Sequence, residues 1–277
     1  MTLKARNRIL ILFFLLALLD TLLNAGLFIR SIMAETLSFP PDADIERQIA
    51  LLSRLDLLAY EPLAVCISCL AFNAYALLTT LIIYLSFEKT QALETIYFLG
   101  FLLSCLAEST RLFIPVYALA QNAPASLAVL TRIVIGARML APLSFLFAEL
   151  FSDTESRLFV ERNLVIMLLA SIFMGLLMPL HTGGYSSIFT YQWGIQDIFH
   201  LSRLLMVAAT LLAIICKIAA NYSTETIHEG IGFLISICGY FILCNSDAYI
   251  LVIVGAGALF IGTVYYLRSM HQLYRWR

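Results

Sequence analysis

Charge is what this sequence has least of. Asp, Glu, Lys and Arg together make up 13% of its 277 residues, and lysine occurs only as Lys4, Lys89 and Lys217. An average soluble domain carries about 25% charged residues. Here 61% of the residues are hydrophobic and the mean hydropathy is +0.92, so the expected solvent is a lipid bilayer. A net charge of −1 and the lack of any basic block exclude nucleic acid as a partner. The length leaves no room for a sizeable soluble domain beside the apolar runs.

Other absences narrow the chemistry. The histidines, His181, His200, His228 and His271, never stand at i, i+4, so the helical zinc and bis-haem patterns are missing. "TIHEG" places His228 and Glu229 in an expected cytoplasmic loop and lacks the second histidine of a metalloprotease motif. The last spans hold no lysine for a retinal Schiff base, and no G-x-S-x-G nucleophile elbow occurs. Cys66 and Cys69 form a C-x-x-C, but Cys105, Cys216, Cys238 and Cys244 are scattered and give no second exchanging pair. Buried, inert thiols are therefore expected. No cofactor and no metal is expected. There is no repeat, low-complexity tract or linker, so residues 1–277 are read as one transmembrane helical domain.

Apolar runs are abundant. At about 20 residues per span, they fall at Ile9 to Ile29, Pro62 to Phe87, Leu93 to Leu119, Ser126 to Phe151, Asn163 to Leu180, Asp197 to Ala220, Gly230 to Asn245 and Ala248 to Leu267. The expected fold is an all-α polytopic bundle of about eight spans. Seven remain if "NSD" at 245–247 interrupts one long helix instead of turning the chain. The basic start resembles a signal peptide, but its apolar stretch is too long and no cleavage site follows, so it reads as a retained first span.

Charge at the span ends supports eight. The expected inner segments carry Lys4, Arg6, Arg8, Lys89, Arg157, Arg162, Lys217, Arg268, Arg275 and Arg277, against Arg30, Arg47 and Arg54 in the outer ones. That distribution puts both termini in the cytoplasm and the chain in the cell membrane.

Residues 31–61 form an extracytoplasmic loop. Within it Ile45, Ile49, Leu52, Leu55 and Leu58 recur at helical spacing opposite Glu46, Arg47, Arg54 and Asp56, predicting an amphipathic helix that lies on the membrane or lids the bundle. The loop "MPLHTGGYSSIFTYQWG" (178–194) reads as an interfacial anchor, with a flap over the bundle as the alternative. "GAGALFIG" supplies Gly255, Gly257, Ala258 and Gly262 for close helix packing. "YYLRSMHQLYRWR" reads as a cytoplasmic interface anchor and as a place where a cytoplasmic protein partner would dock.

Each charge inside the bilayer costs about 2.5 to 3.5 kcal/mol on insertion scales and is expected to face protein or water. Glu108 and Arg111 lie three apart on one helix face and are expected to pair. By depth, the outer half of the bundle gathers Asp20, Glu108, Arg111, Arg132, Asp197, His200 and Arg203, with Arg138 beneath them. The inner half looks almost bare, with Asn73 mid-span and Glu94 and Glu149 at the membrane edge. This asymmetry predicts a polar cavity open to the outside, floored by apolar packing, in which arginines hold a small anionic or zwitterionic ligand. His200 would make it responsive to pH. A closed ion-pair network that fixes helix register is the structural alternative.

A receptor or sensor fits this one-sided distribution best. A secondary transporter comes second, on Arg138, Asn73, Pro115 and Pro142. An intramembrane enzyme, with Glu108 or His200 as general base, comes third, so an enzyme is the less favoured class.

Overall fold

A computed structural model of the chain describes residues 3–40, 45–46, 59–87, 94–151, 159–220 and 224–275. Among these residues, eight helical segments are long and apolar enough to cross a membrane. They are α1 (Leu3–Met33), α2 (Pro62–Phe87), a composite third span over Glu94–Val116, α6 (Pro124–Leu150), α7 (Val160–Leu177), α8 (Gln196–Ala220), α9 (Thr224–Cys244) and α10 (Tyr249–Arg275). The protein is thus an all-α, multi-pass membrane protein. The third span comprises α3 (Glu94–Ser109), a tighter 3-10 turn at Thr110–Leu112 and α4 (Phe113–Val116), and is followed by α5 (Leu119–Asn122). Ala118, between α4 and α5, has a positive φ of 49°.

α9 and α10 settle the choice between seven and eight spans. They turn at Asn245–Ala248 and run antiparallel in close register, with Gly232 against Tyr266, Ser236 against Gly262, Gly239 against Leu259 and Leu243 against Gly255. Glycines seven residues apart on each helix line one seam, and the missing side chains let the backbones touch. A methyl group at Gly239 would overlap the backbone of Leu259. Gly257 faces open space and takes no part in the seam.

A small sheet lies at one end of the bundle. There β2 (Leu180–Ser186) and β3 (Tyr191–Trp193) form an antiparallel hairpin, and β1 (Ile45–Glu46) pairs with β2 in parallel, Ile45 opposite Tyr185 and Glu46 opposite Ser186. The predicted amphipathic helix is corrected at those two positions, where the backbone is extended because β2 offers it an edge. The rest of that helix lies outside the described residues, as do Arg47, Arg54, Lys89, Arg157 and Arg277. The segment 178–194, read as an anchoring loop, is this hairpin.

Between the two ends lies a layer of aromatic rings. Phe98, Phe101, Phe145, Phe233, Tyr240 and Tyr266 pack with centroids 4.8 to 5.7 Å apart in offset and edge-to-face pairs. They come from α3, α6, α9 and α10 and make an apolar partition between those four helices.

Candidate functional site

Above the partition, at the sheet end, stands a cluster of buried charge. Glu108, near the end of α3, and Arg138, in the middle of α6, both have zero exposure, and Arg138 Nε donates to Glu108 Oε1 at 2.8 Å. Arg111, in the 3-10 turn, is also fully buried. Its Nε lies 3.0 Å from Glu108 Oε2 but aims its hydrogen at the Glu108 carbonyl, 3.1 Å away. One carboxylate therefore serves two guanidiniums, and the predicted Glu108–Arg111 pair is a triad.

The second partner of both arginines is a helix end. Cys244 closes α9, and its carbonyl accepts from Arg111 Nη1 at 3.1 Å and Arg138 Nη2 at 2.7 Å. A helix C-terminus presents unsatisfied carbonyls and a partial negative charge, so cations favour it. Arg138 Nη1 also donates to Asn245 Oδ1 at 3.1 Å, and its guanidinium lies 5.1 Å from the Trp193 ring of β3. The sheet thus sits on the cluster through Trp193, which in turn packs edge-on against Phe199.

Arg203 on α8 completes the group differently. It is 4% exposed, rests 4.2 Å over Phe241 and 5.5 Å over Phe199, and lies within electrostatic reach of Arg138 and Glu108. Its Nε has no hydrogen-bond acceptor, and neither has Arg111 Nη2. The three buried guanidiniums thus carry donors beyond those that Glu108, the Cys244 carbonyl and Asn245 take up.

The remaining sequence candidates fall elsewhere. Arg132, Asp197 and His200 are exposed on the bundle's periphery, so the cluster does not include them. Asp197, His200 and Arg203 span a face too wide for all three to turn inward, and only Arg203 does. Asp20 is half-buried on α1, with Ser109 as its contact on α3. Asn73 is fully buried with neither carboxamide atom hydrogen-bonded. Cys66 and Cys69 are free and buried, with Cys69 Sγ 3.9 Å from the Glu108 carbonyl.

The edge residues of the inner end form a group that the sequence did not join. Beneath the aromatic layer Lys217 Nζ, in the last turn of α8, lies 2.7 Å from Glu149 Oε2 on α6 and 3.8 Å from Glu229 Oε2 on α9. Tyr266 Oη donates to Glu149 Oε1 at 3.5 Å, and Glu94 lies within electrostatic reach of Lys217 and Tyr266. Glu94, Glu149 and Glu229 are at most 5% exposed. Helix α9 begins at Thr224, so His228 and Glu229 stand on a helix where a loop was expected. Glu94, Glu149, Lys217 and Glu229 all lie near the inner ends of their helices, the signal that would have joined them.

Lys217 holds this second group together. Lys217→Met is expected to lower stability by about 1 to 3 kcal/mol, short of the 3 to 5 of a fully buried pair because a third of its side chain is exposed. Thermal unfolding in detergent measures the loss, and Lys217→Met combined with Glu149→Gln should recover part of it.

Comparison of the chain with protein-family models, with curated proteins and with solved structures finds no match.

Proposed function

We propose that this chain is a receptor- or sensor-type module of the cell membrane, with both termini cytoplasmic, that binds a small anionic or zwitterionic ligand between Arg203, Arg111 and Arg138. The observation that supports it is the pair of buried guanidinium nitrogens without acceptors, Arg203 Nε and Arg111 Nη2. A buried donor without a partner carries its full desolvation penalty, and a carboxylate or phosphate oxygen would remove that penalty. Arg203 is suited to the first encounter. It is held by aromatic faces and makes no ion pair among the described residues, so a ligand gains its charge without breaking a salt bridge. The sheet, seated on Arg138 through Trp193, would cover the ligand from the outside. A cytoplasmic protein partner at the C-terminal tail would read the resulting helix movement.

One observation favours a secondary transporter as a second reading. The third span tightens to a 3-10 turn at Thr110–Leu112, beside the arginines, and interrupted helices at a binding site are a transporter signature.

Ligand-induced thermal stabilisation in lipid nanodiscs tests the binding. Inorganic phosphate, small mono- and dicarboxylates and amino acids would be screened on the native protein and on Arg203→Gln, which removes a guanidinium without stranding a carboxylate. At least one anion is expected to raise the melting temperature of the native protein, with about 10- to 100-fold weaker affinity in Arg203→Gln, the worth of one charge-assisted hydrogen bond. Equal stabilisation of both proteins, or none by any anion, would sink the proposal. Uptake of the stabilising anion into proteoliposomes would turn the reading from receptor to transporter.

A further inference from the structure

One intramembrane carboxylate stands apart from both charged groups. Asp20 lies on α1, and Ser109 Oγ at the end of α3 approaches its Oδ2 to 3.2 Å. The same Ser109 Oγ lies 2.6 Å from the carbonyl of Leu106. A serine hydroxyl has one hydrogen to donate and two lone pairs to receive one. With Asp20 ionised, both of these neighbours are acceptors, and one hydrogen cannot serve the two contacts. With a hydrogen on Asp20 Oδ2, the carboxyl donates to Ser109 Oγ, Ser109 donates to Leu106, and both contacts become hydrogen bonds.

Among the described residues, the helices packed most closely on α1 supply no basic counter-charge. Helices α2, α3 and α4 pack on α1, and none of them contains a lysine, arginine or histidine. The side chains that act on Asp20 are Ser109 from α3 and Asn24, one turn further along α1. The nearest arginine along the third span, Arg111, turns its Nε and Nη1 to Glu108 and Cys244 and makes no hydrogen bond to Asp20. Asn24 is fully buried, and both its carboxamide atoms lack a hydrogen-bond partner. A buried carboxamide with an unused N–H is a donor held beside a group that needs one only when ionised.

We propose that Asp20 and Ser109 form a proton-binding site within the membrane, in which Asp20 Oδ2 carries one exchangeable proton. In the protonated form the chain of bonds runs from Asp20 through Ser109 to the Leu106 carbonyl. On release the proton passes to water, the Ser109 hydroxyl turns from Leu106 to Oδ2, and Asn24 Nδ2 donates to the carboxylate. No other group changes its charge. Ser109 immediately precedes the 3-10 turn that carries Arg111, so the site backs onto the arginine cluster across the third span.

The test is a pH-difference infrared titration of the full chain in lipid nanodiscs, with the aspartate side chains carbon-13 labelled so that bands from Glu94, Glu149 and Glu229 are set aside. The native protein is expected to show a labelled protonated-carboxyl band that disappears as the pH is raised. Asp20→Asn should lose that band, and Ser109→Ala should shift its frequency because the carboxyl loses its acceptor. Superimposable native and Asp20→Asn spectra, or no labelled protonated band at any pH, would overturn the proposal. Should Asp20→Asn fail to fold, Ser109→Ala decides alone, since an unmoved band refutes the Asp20–Ser109 bond and a moved one supports it.

Discussion

Glu108→Gln is expected to be the most damaging single substitution in the charged cluster, lowering stability by about 3 to 5 kcal/mol. The change keeps the shape of the side chain and removes the carboxylate that joins Arg111 and Arg138, whose Nε atoms lie 3.0 and 2.8 Å from it. All three side chains have zero exposure, so no water replaces the lost charge. The two guanidiniums keep the carbonyls of Glu108 and Cys244 and the side chain of Asn245, partial charges in place of a full one. Arg111→Gln should do less harm, because Arg138 still holds Glu108 and the desolvated carboxylate keeps a partner. An isolated pair would make the two substitutions equally harmful. Thermal unfolding of the single variants and of Glu108→Gln with Arg138→Gln distinguishes the cases. Partial recovery in the double variant is expected of residues that act as a unit.

Gly239→Val should disrupt the molecule by a different route. A Cβ at Gly239 falls on the backbone nitrogen of Leu259, with the Leu259 Cα at 2.8 Å and the Ala258 carbonyl carbon at 2.9 Å. None of these atoms can swing aside as a side-chain terminus can. The helices must separate along the seam that also brings Ser236 to Gly262 and Leu243 to Gly255. The loss is expected to reach at least about 3 kcal/mol, the upper end of the range for overpacking. It would also displace Cys244, the last residue of α9, from Arg111 and Arg138. Gly257→Val, facing open space on the partner helix α10, is the matched control and should leave the melting temperature unchanged. Equal behaviour of the two variants would show that the seam is not the contact described.

What the sequence displayed and what it hid divide along a physical line. Apolar length reveals how deep a residue lies, so eight spans and the level of Glu108, Arg111, Arg138 and Arg203 were legible. Rotation about the helix axis was not, because a helix with several polar residues offers several faces. Arg132 and His200 were placed at the depth of the cluster and are exposed, with no hydrogen bond to it. The Glu108–Arg111 pair was readable from i, i+3 spacing. Its third member, Arg138, lies 30 residues away and needed the fold. Glu149, Lys217 and Glu229 escaped for the opposite reason, since each taken alone sits at a span edge where charge is ordinary. The hairpin at 180–193 was hidden by its paired glycines and short strands, which carry too few alternating residues to show a period of two.

The placement of Glu108 and Arg111 three residues apart also bears on how the chain is made. As the third span leaves the ribosome and enters the lipid, Arg138 has not yet been inserted and α9, with its Cys244 carbonyl, has not been synthesised. An acid on this span alone would have to enter the bilayer without a partner. With Arg111 one turn away, the span carries its own counter-ion across and waits in a neutral form for α6 and then α9 to arrive. The i, i+3 pair thus serves the order of assembly, and the triad of the finished protein is built on it.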